Sequence, residues 1–152
     1  MKSTWELERV RRHTRPLVNE RIDRRTAATV LAYSTKSEGA LTVKIDQLER
    51  EWDIERWLQT NASALALLGV VLGVTRNRRW LGLTGGVLGF LFLHATQGWC
   101  PPLPLLRRLG VRTRAEIDRE RVALKFLRGD FDHVRLPSGE INLRSLLRAT
   151  EV

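Results

Sequence analysis

The stretch LQTNASALALLGVVLGVT (58–75), RNRR (76–79), WLGLTGGVLGFLFLHATQGW (80–99) decides how this chain is read. Neither apolar run contains a charge, and the connector between them carries Arg76, Arg78 and Arg79. As helices rising about 1.5 Å per residue, the runs would be roughly 27 and 30 Å long, close to the ~30 Å of a hydrocarbon core. A connector so short and so charged stays outside lipid and turns the chain back on itself. The pattern predicts an all-α membrane protein: an antiparallel two-helix transmembrane hairpin with helical, amphipathic cytoplasmic arms. The competing reading is a soluble helical hairpin inside a larger core. It is the lesser reading, because the polar remainder of a 152-residue chain cannot easily cover two such helices.

Outward from the hairpin (58–99, spans 58–75 and 80–99), the chain divides into a basic helical arm over 1–57 and a basic amphipathic arm over 100–152. In the first arm, Trp5 to Arg12 is a short helix candidate, and Pro16 suits the first turn of the next. Lys36-Ser37-Glu38-Gly39 is a break. Leu41, Ile45, Leu48, Trp52 and Leu58 then recur at helical spacing. No breaker follows, so this helix is expected to run straight into the membrane or bend at its surface. Beyond the second span, Gly98-Trp99-Cys100-Pro101-Pro102-Leu103-Pro104 ends the helix. Leu105, Leu106 and Leu109 with Arg107 and Arg108 read as an interfacial segment. Thr113 and Glu116 form a T-x-x-E capping box opening a helix over 114–128 that Gly129 stops. A turn at Pro137-Ser138-Gly139 and a last short helix around Leu143, Leu146 and Leu147 complete the arm.

Whole-chain averages conceal this organisation. Mean hydropathy is −0.24 and hydrophobic residues make up 43% of the chain, values the charged arms pull toward a soluble average. The net charge of +9 fits either phosphate backbones of nucleic acid or anionic lipid head groups. Once spans are admitted, arginines that flank them favour lipid, and nucleic acid becomes the lesser partner. Lys44, Arg50 and Arg56 before the spans, with Arg107, Arg108, Arg112 and Arg114 after them, outweigh the loop arginines, which places both termini in the cytoplasm. No apolar run follows the first charges, so no signal peptide is expected. One cysteine, Cys100, excludes an intramolecular disulfide, and three scattered histidines offer no clustered zinc site.

Within the spans, Gly69-x-x-x-Gly73, Gly82-x-x-x-Gly86 and Gly85-x-x-x-Gly89 are small-residue patterns that let helix backbones approach. Whether they serve the hairpin seam or a seam between copies stays open. Counted from the loop, Asn61 and His94 share a depth, with Thr60, Thr96 and Gln97 close by. The spacing therefore predicts a hydrogen-bonded polar clasp of Asn61, His94 and Gln97, since an unpaired polar group in hydrocarbon is costly. Trp52, Trp57, Trp80 and Trp99 bracket the spans as interface anchors. Arg56, Arg107, Arg108, Arg112 and Arg114 are expected to contact lipid phosphates or an acidic partner. Glu116, Asp118 and Glu120 read as surface pairing on an arginine-rich helix. Nothing in the chain offers a phosphate loop, a triad or paired carboxylates, so no cofactor and no enzyme activity are expected.

Gly98-Trp99-Cys100-Pro101, followed by Leu105-Leu106 and Leu109-Gly110, resembles the bacterial DUF2892 family, the YgaP-like two-helix domain of inner membranes. The flanking Arg-Glu-Trp-Asp-Ile-Glu-Arg (50–56), Arg-Thr-Arg-Ala-Glu-Ile-Asp-Arg-Glu-Arg (112–121) and Leu-Arg-Gly-Asp-Phe (127–131) extend the likeness to most of the chain. The resemblance implies a bacterial inner-membrane hairpin that supports dimerisation. In the best-known members the hairpin anchors a rhodanese sulfurtransferase, but neither arm here is long enough for that domain. The expectation is a non-enzymatic membrane module that forms a homodimer or serves as accessory subunit of a larger membrane complex. The alternative is thiol, persulfide or redox chemistry at the membrane face through Cys100. A weaker one makes the arms a nucleic-acid tether.

Overall fold

A computed structural model describes residues 9–132, 145–146 and 150. Among these the chain is helical and contains no strand. After a helical turn at 9–12 come α1 (Pro16–Tyr33), α2 (Glu38–Arg50), α3 (Ile54–Thr75), a 3-10 turn (Arg78–Trp80), α4 (Leu81–Gln97), α5 (Leu103–Arg108) and α6 (Arg114–Arg128). The expected turn at 137–139 and most of the last short helix fall outside the described residues, as do residues 5–8 of the first helix candidate.

Two compact units form, one from Met1–Glu20 with Trp52–Arg114 and the other from Arg21–Glu51 with Ala115–Val152. They do not follow the chain-order division into arm, hairpin and arm. In the first unit, Val10, Ile54, Leu58, Cys100 and Leu103 make a small core, with Leu106 and Val111 packed on it. In the second, Leu41, Ile45 and Leu48 lie at i, i+4 and i+7 on α2 and meet Ile117 and Leu124 of α6.

Two element boundaries and one set of charges differ from the sequence expectation, each for a local reason. Residues 51–53 are extended, so α2 and α3 are separate helices. The start signal is Asp53, whose Oδ1 accepts from the Arg56 N–H at 2.7 Å, while the Ile54 N–H donates to the Arg112 carbonyl at 3.0 Å. A capping carboxylate thus acts as a breaker without glycine or proline. The second apolar helix spans 17 residues rather than 20. Trp80 belongs to the 3-10 turn, and Gly98 closes the other end in the left-handed region at φ 76°. At roughly 25 Å, α4 is a little shorter than a typical hydrocarbon core. Among the described residues one segment, within Glu38–Thr75, is long and apolar enough to cross a membrane, and 22% of its apolar window is buried.

The third difference concerns the charges of α6. Glu116 and Glu120 are buried, at 3% and 1% exposure, and Lys44 lies 3.9 Å from Glu120. These carboxylates sit within the second unit's packing and not on its surface, with Glu120 facing Lys44 of α2. At the end of α6, Arg128 grips Asp130 through two hydrogen bonds of 2.7 and 2.6 Å. That fork holds the Asp130 carboxyl below the usual aspartate range. A folded pKa below the unfolded one stabilises the fold above the ordinary aspartate pKa and loses that contribution as pH falls through the depressed value. Asp130→Asn should therefore lower stability at neutral pH, leave it unchanged below the depressed pKa, and so flatten part of the acid limb of a stability–pH curve followed by circular dichroism.

Candidate functional site

Helices α3 and α4 pack antiparallel, and the first-span glycines form their seam. A Cβ on Gly69 would lie 2.5 Å from Thr84 Oγ1 and 3.2 Å from the Trp80 carbonyl; one on Gly73 would lie 2.7 Å from Leu81. Gly69 opposite Thr84 and Gly73 opposite Leu81 fix the register. The close approach lets Thr84 Oγ1 donate to the Ala66 carbonyl at 3.1 Å, an interhelical hydrogen bond the helix backbone cannot supply. The second-span glycines behave differently. Gly82, Gly85, Gly86 and Gly89 are exposed, and a Cβ on any of them would meet nothing within 4 Å. Their spacing of i, i+3, i+4 and i+7 puts them on one face of α4.

At the far end of α4 the chain leaves through a polar knot. Arg9 Nη1 donates to the Ala95 carbonyl at 2.9 Å and the Thr96 carbonyl at 3.3 Å, satisfying acceptors that a helix end leaves open. Gly98 is needed here twice over: its φ is positive, and a Cβ would stand 2.6 Å from Arg9 Cβ. Asn61 and His94 are not joined. Asn61 Nδ2 donates to the Trp57 carbonyl on its own helix at 2.8 Å, while His94 Nδ1 is buried without a hydrogen-bond partner. Gln97 is exposed. In place of the expected clasp, Asn61 bonds a carbonyl one turn back on its own helix.

Cys100 sits at 7% exposure on the wall of an apolar cavity of about 260 Å³, lined also by Leu58, Asn61, Leu65, Phe90 and Leu106. Burial pushes its thiol up from the ordinary cysteine pKa, which disfavours the nucleophilic thiolate. Maleimide labelling of the folded protein near neutral pH should be slow, and denaturant should accelerate it by at least about tenfold. Fast labelling of the native state would contradict this burial.

The arginines expected at a lipid face separate into two classes. Arg107 and Arg112 are buried, at 1% and 5% exposure. Arg107 Nε donates to Thr14 Oγ1 at 3.2 Å, Nη2 to Asn19 Oδ1 at 2.7 Å and Nη1 to the Val111 carbonyl at 3.2 Å. Its guanidinium fork fastens residues 14–19 to the segment after the spans. Arg108 is exposed and Arg114 half-buried. Arg56 is also exposed and stacks 4.5 Å over the Trp52 ring, which meets Trp57 edge-on at 5.2 Å. All four bracketing tryptophans keep 38–45% exposure.

Sequence reasoning missed Arg9, Thr14, Asn19, Asp53 and Thr84. A threonine in an apolar helix and an aspartate before one were visible signals. Nothing local marks Arg9, Thr14 or Asn19, whose partners lie 86 to 93 residues away. Among the described residues no group of three His, Cys, Asp or Glu side chains is placed to hold a metal ion. Comparison with protein-family models, with curated proteins and with solved structures finds no match, so the likeness to the two-helix inner-membrane family rests on its short motifs alone.

Proposed function

We propose that this chain is a non-enzymatic integral membrane module, a two-span hairpin with both termini in the cytoplasm, that self-associates or serves as an accessory subunit of a larger membrane complex. The observation that carries the reading is the uncovered apolar sleeve of α3 and α4. Leu65, Leu67, Val70 and Val74 on α3, with Leu88 and Phe92 on α4, are 40–80% exposed. Exposed apolar area of that extent is costly in water and favourable in lipid. The shortness of α4 is compatible with spanning, since bilayers thin locally and flanking residues snorkel at modest cost. The exposed tryptophans at the ends of the sleeve suit the head-group level.

Self-association is supported by the division of labour among the glycines. Gly69 and Gly73 are consumed by the internal seam, which leaves the open strip Gly82, Gly85, Gly86 and Gly89 to a second helix from outside. Thiol chemistry at Cys100 gains no support from a buried thiol held in its protonated form. The test is disulfide cross-linking in native membranes. With Cys100 replaced by alanine, Gly85→Cys should cross-link to a second copy or to one defined partner, and Val74→Cys should not. Absence of cross-linking at both positions, or recovery of the chain in the supernatant after high-speed centrifugation without detergent, would refute the reading.

A further inference from the structure

On the membrane reading, the cavity of about 260 Å³ beside Cys100 opens into hydrocarbon and acquires a ligand. Leu58, Cys100 and Leu106 line it, and the same three side chains belong to or pack on the core of the first unit. Pro101 and Pro102 also line it, and their rings stiffen the backbone that would have to move to close it. The lining continues through Leu65 and Phe90, each 45% exposed and part of the uncovered apolar surface. The cavity is therefore held open by fixed residues and reached from the lipid-facing side. About 150 Å³ is enough to enclose a benzene ring, so this cavity has room for a substituted ring or a length of acyl chain.

Asn61 gives that ligand a second property. It lines the same cavity, and one N–H of its carboxamide is bonded to the Trp57 carbonyl at 2.8 Å. A carboxamide carries two N–H donors, and the bond to Trp57 fixes the group while leaving the second to donate. Trp57 lies one turn before Asn61 and suits the head-group level, which sets Asn61 just inside it, at the depth of lipid ester carbonyls. Beside leucine, phenylalanine and proline an ionised group is costly to desolvate, whereas a carbonyl is satisfied by a single donor. We infer that this cavity binds a neutral, apolar molecule of the bilayer through a carbonyl, which accepts from Asn61 while the apolar body lies against Leu65 and Phe90. Two sources share that chemistry: the ester of a phospholipid acyl chain, and a free carbonyl compound of the quinone type.

The full-length chain, solubilised in a mild non-ionic detergent, is titrated with two pairs of probes, and bound ligand is counted by native mass spectrometry. Decylubiquinone is set against decylbenzene, and a diester phosphatidylcholine against its diether analogue; only the first of each pair carries a carbonyl. At least one carbonyl-bearing probe should be retained, one per chain, about fivefold better than its carbonyl-free counterpart, the scale of one hydrogen bond. Preference for the quinone assigns a free carbonyl compound, and preference for the diester assigns a lipid ester. Asn61→Leu should abolish the difference within the pair. Ala62→Phe fills the cavity from its lining and should cut retention by at least about tenfold, while Ala64→Phe adds the same ring at an exposed position of α3 and should leave it intact. Circular dichroism checks that each variant folds. Equal retention in the two phenylalanine variants overturns the site, and a carbonyl preference that survives Asn61→Leu overturns the role of Asn61. A chain that pellets with membranes yet retains no probe refutes this site alone; a chain that stays in the supernatant without detergent refutes the membrane module on which it rests.

Discussion

Gly69→Leu is expected to destabilise the α3–α4 hairpin by about 3 kcal/mol, the largest effect of any single change in the apolar segment. A Cβ at this position already meets Thr84 Oγ1 at 2.5 Å and the Thr84 backbone nitrogen at 3.1 Å. The hydroxyl could rotate, but the backbone cannot retreat without separating the helices. Separation also breaks the Thr84 to Ala66 hydrogen bond. Overpacking of a tight seam typically costs about 1–3 kcal/mol, and loss of an interhelical hydrogen bond adds a fraction to that. Gly85→Leu is the matched comparison, since its Cβ would meet nothing within 4 Å. It should leave the stability of the isolated hairpin within about 1 kcal/mol of wild type, helped by leucine's better helix propensity. Unfolding of the detergent-solubilised protein by increasing dodecyl sulfate, read by tryptophan fluorescence, separates the two. Equal midpoints for both variants would show that Gly69 is not at a constrained seam.

Arg107→Met should cost about 3–4 kcal/mol, with the loss concentrated in the attachment of residues 14–19. The arginine is 1% exposed, so methionine fills similar volume but leaves Thr14, Asn19 and the Val111 carbonyl without their donor. Asn19 would retain only its hydrogen bond to the Arg11 carbonyl, and Thr14 its bond to the Val10 carbonyl. Each buried acceptor left unsatisfied costs about 1–3 kcal/mol. Arg107→Lys should recover only a minor part, because one ammonium cannot reach three acceptors arranged for a planar fork. Amide hydrogen exchange supplies the readout: protection should fall across residues 14–20 and stay intact in α3 and α4. Uniform loss over the whole unit, or none, would show that Arg107 does not act as a local fastener.

The apolar helices were legible because hydrocarbon-length periodicity is a local property. The charge-free runs at 58–75 and 80–99 translate into α3 and α4 with the connector at Arg76–Arg79, and Pro16 and Gly129 bound their helices as composition suggests. The Asp53 cap was overlooked because a single carboxylate before an isoleucine resembles any other charge in a charged arm. Glycine spacing indicated close packing but not which glycine served which seam, since that depends on the rotation of two helices about their axes. The polar site was least legible. Arg107 looked like a snorkelling surface residue in the sequence and is buried, because its partners Thr14 and Asn19 are distant in the chain. The pairing of Asn61 with His94 failed for a related reason: equal depth does not fix side-chain direction, and Asn61 donates to a carbonyl one turn back on its own helix.

Arg9, Thr14 and Asn19 each meet a group that emerges 86 to 93 residues later in the chain. While the ribosome is still extruding α3 and α4, this segment has not yet met those partners. It must wait beside the nascent chain until Gly98 has turned the exit and α5 has emerged. Its docking is then the closing act of assembly in the first unit, and it reports that both apolar helices are in place.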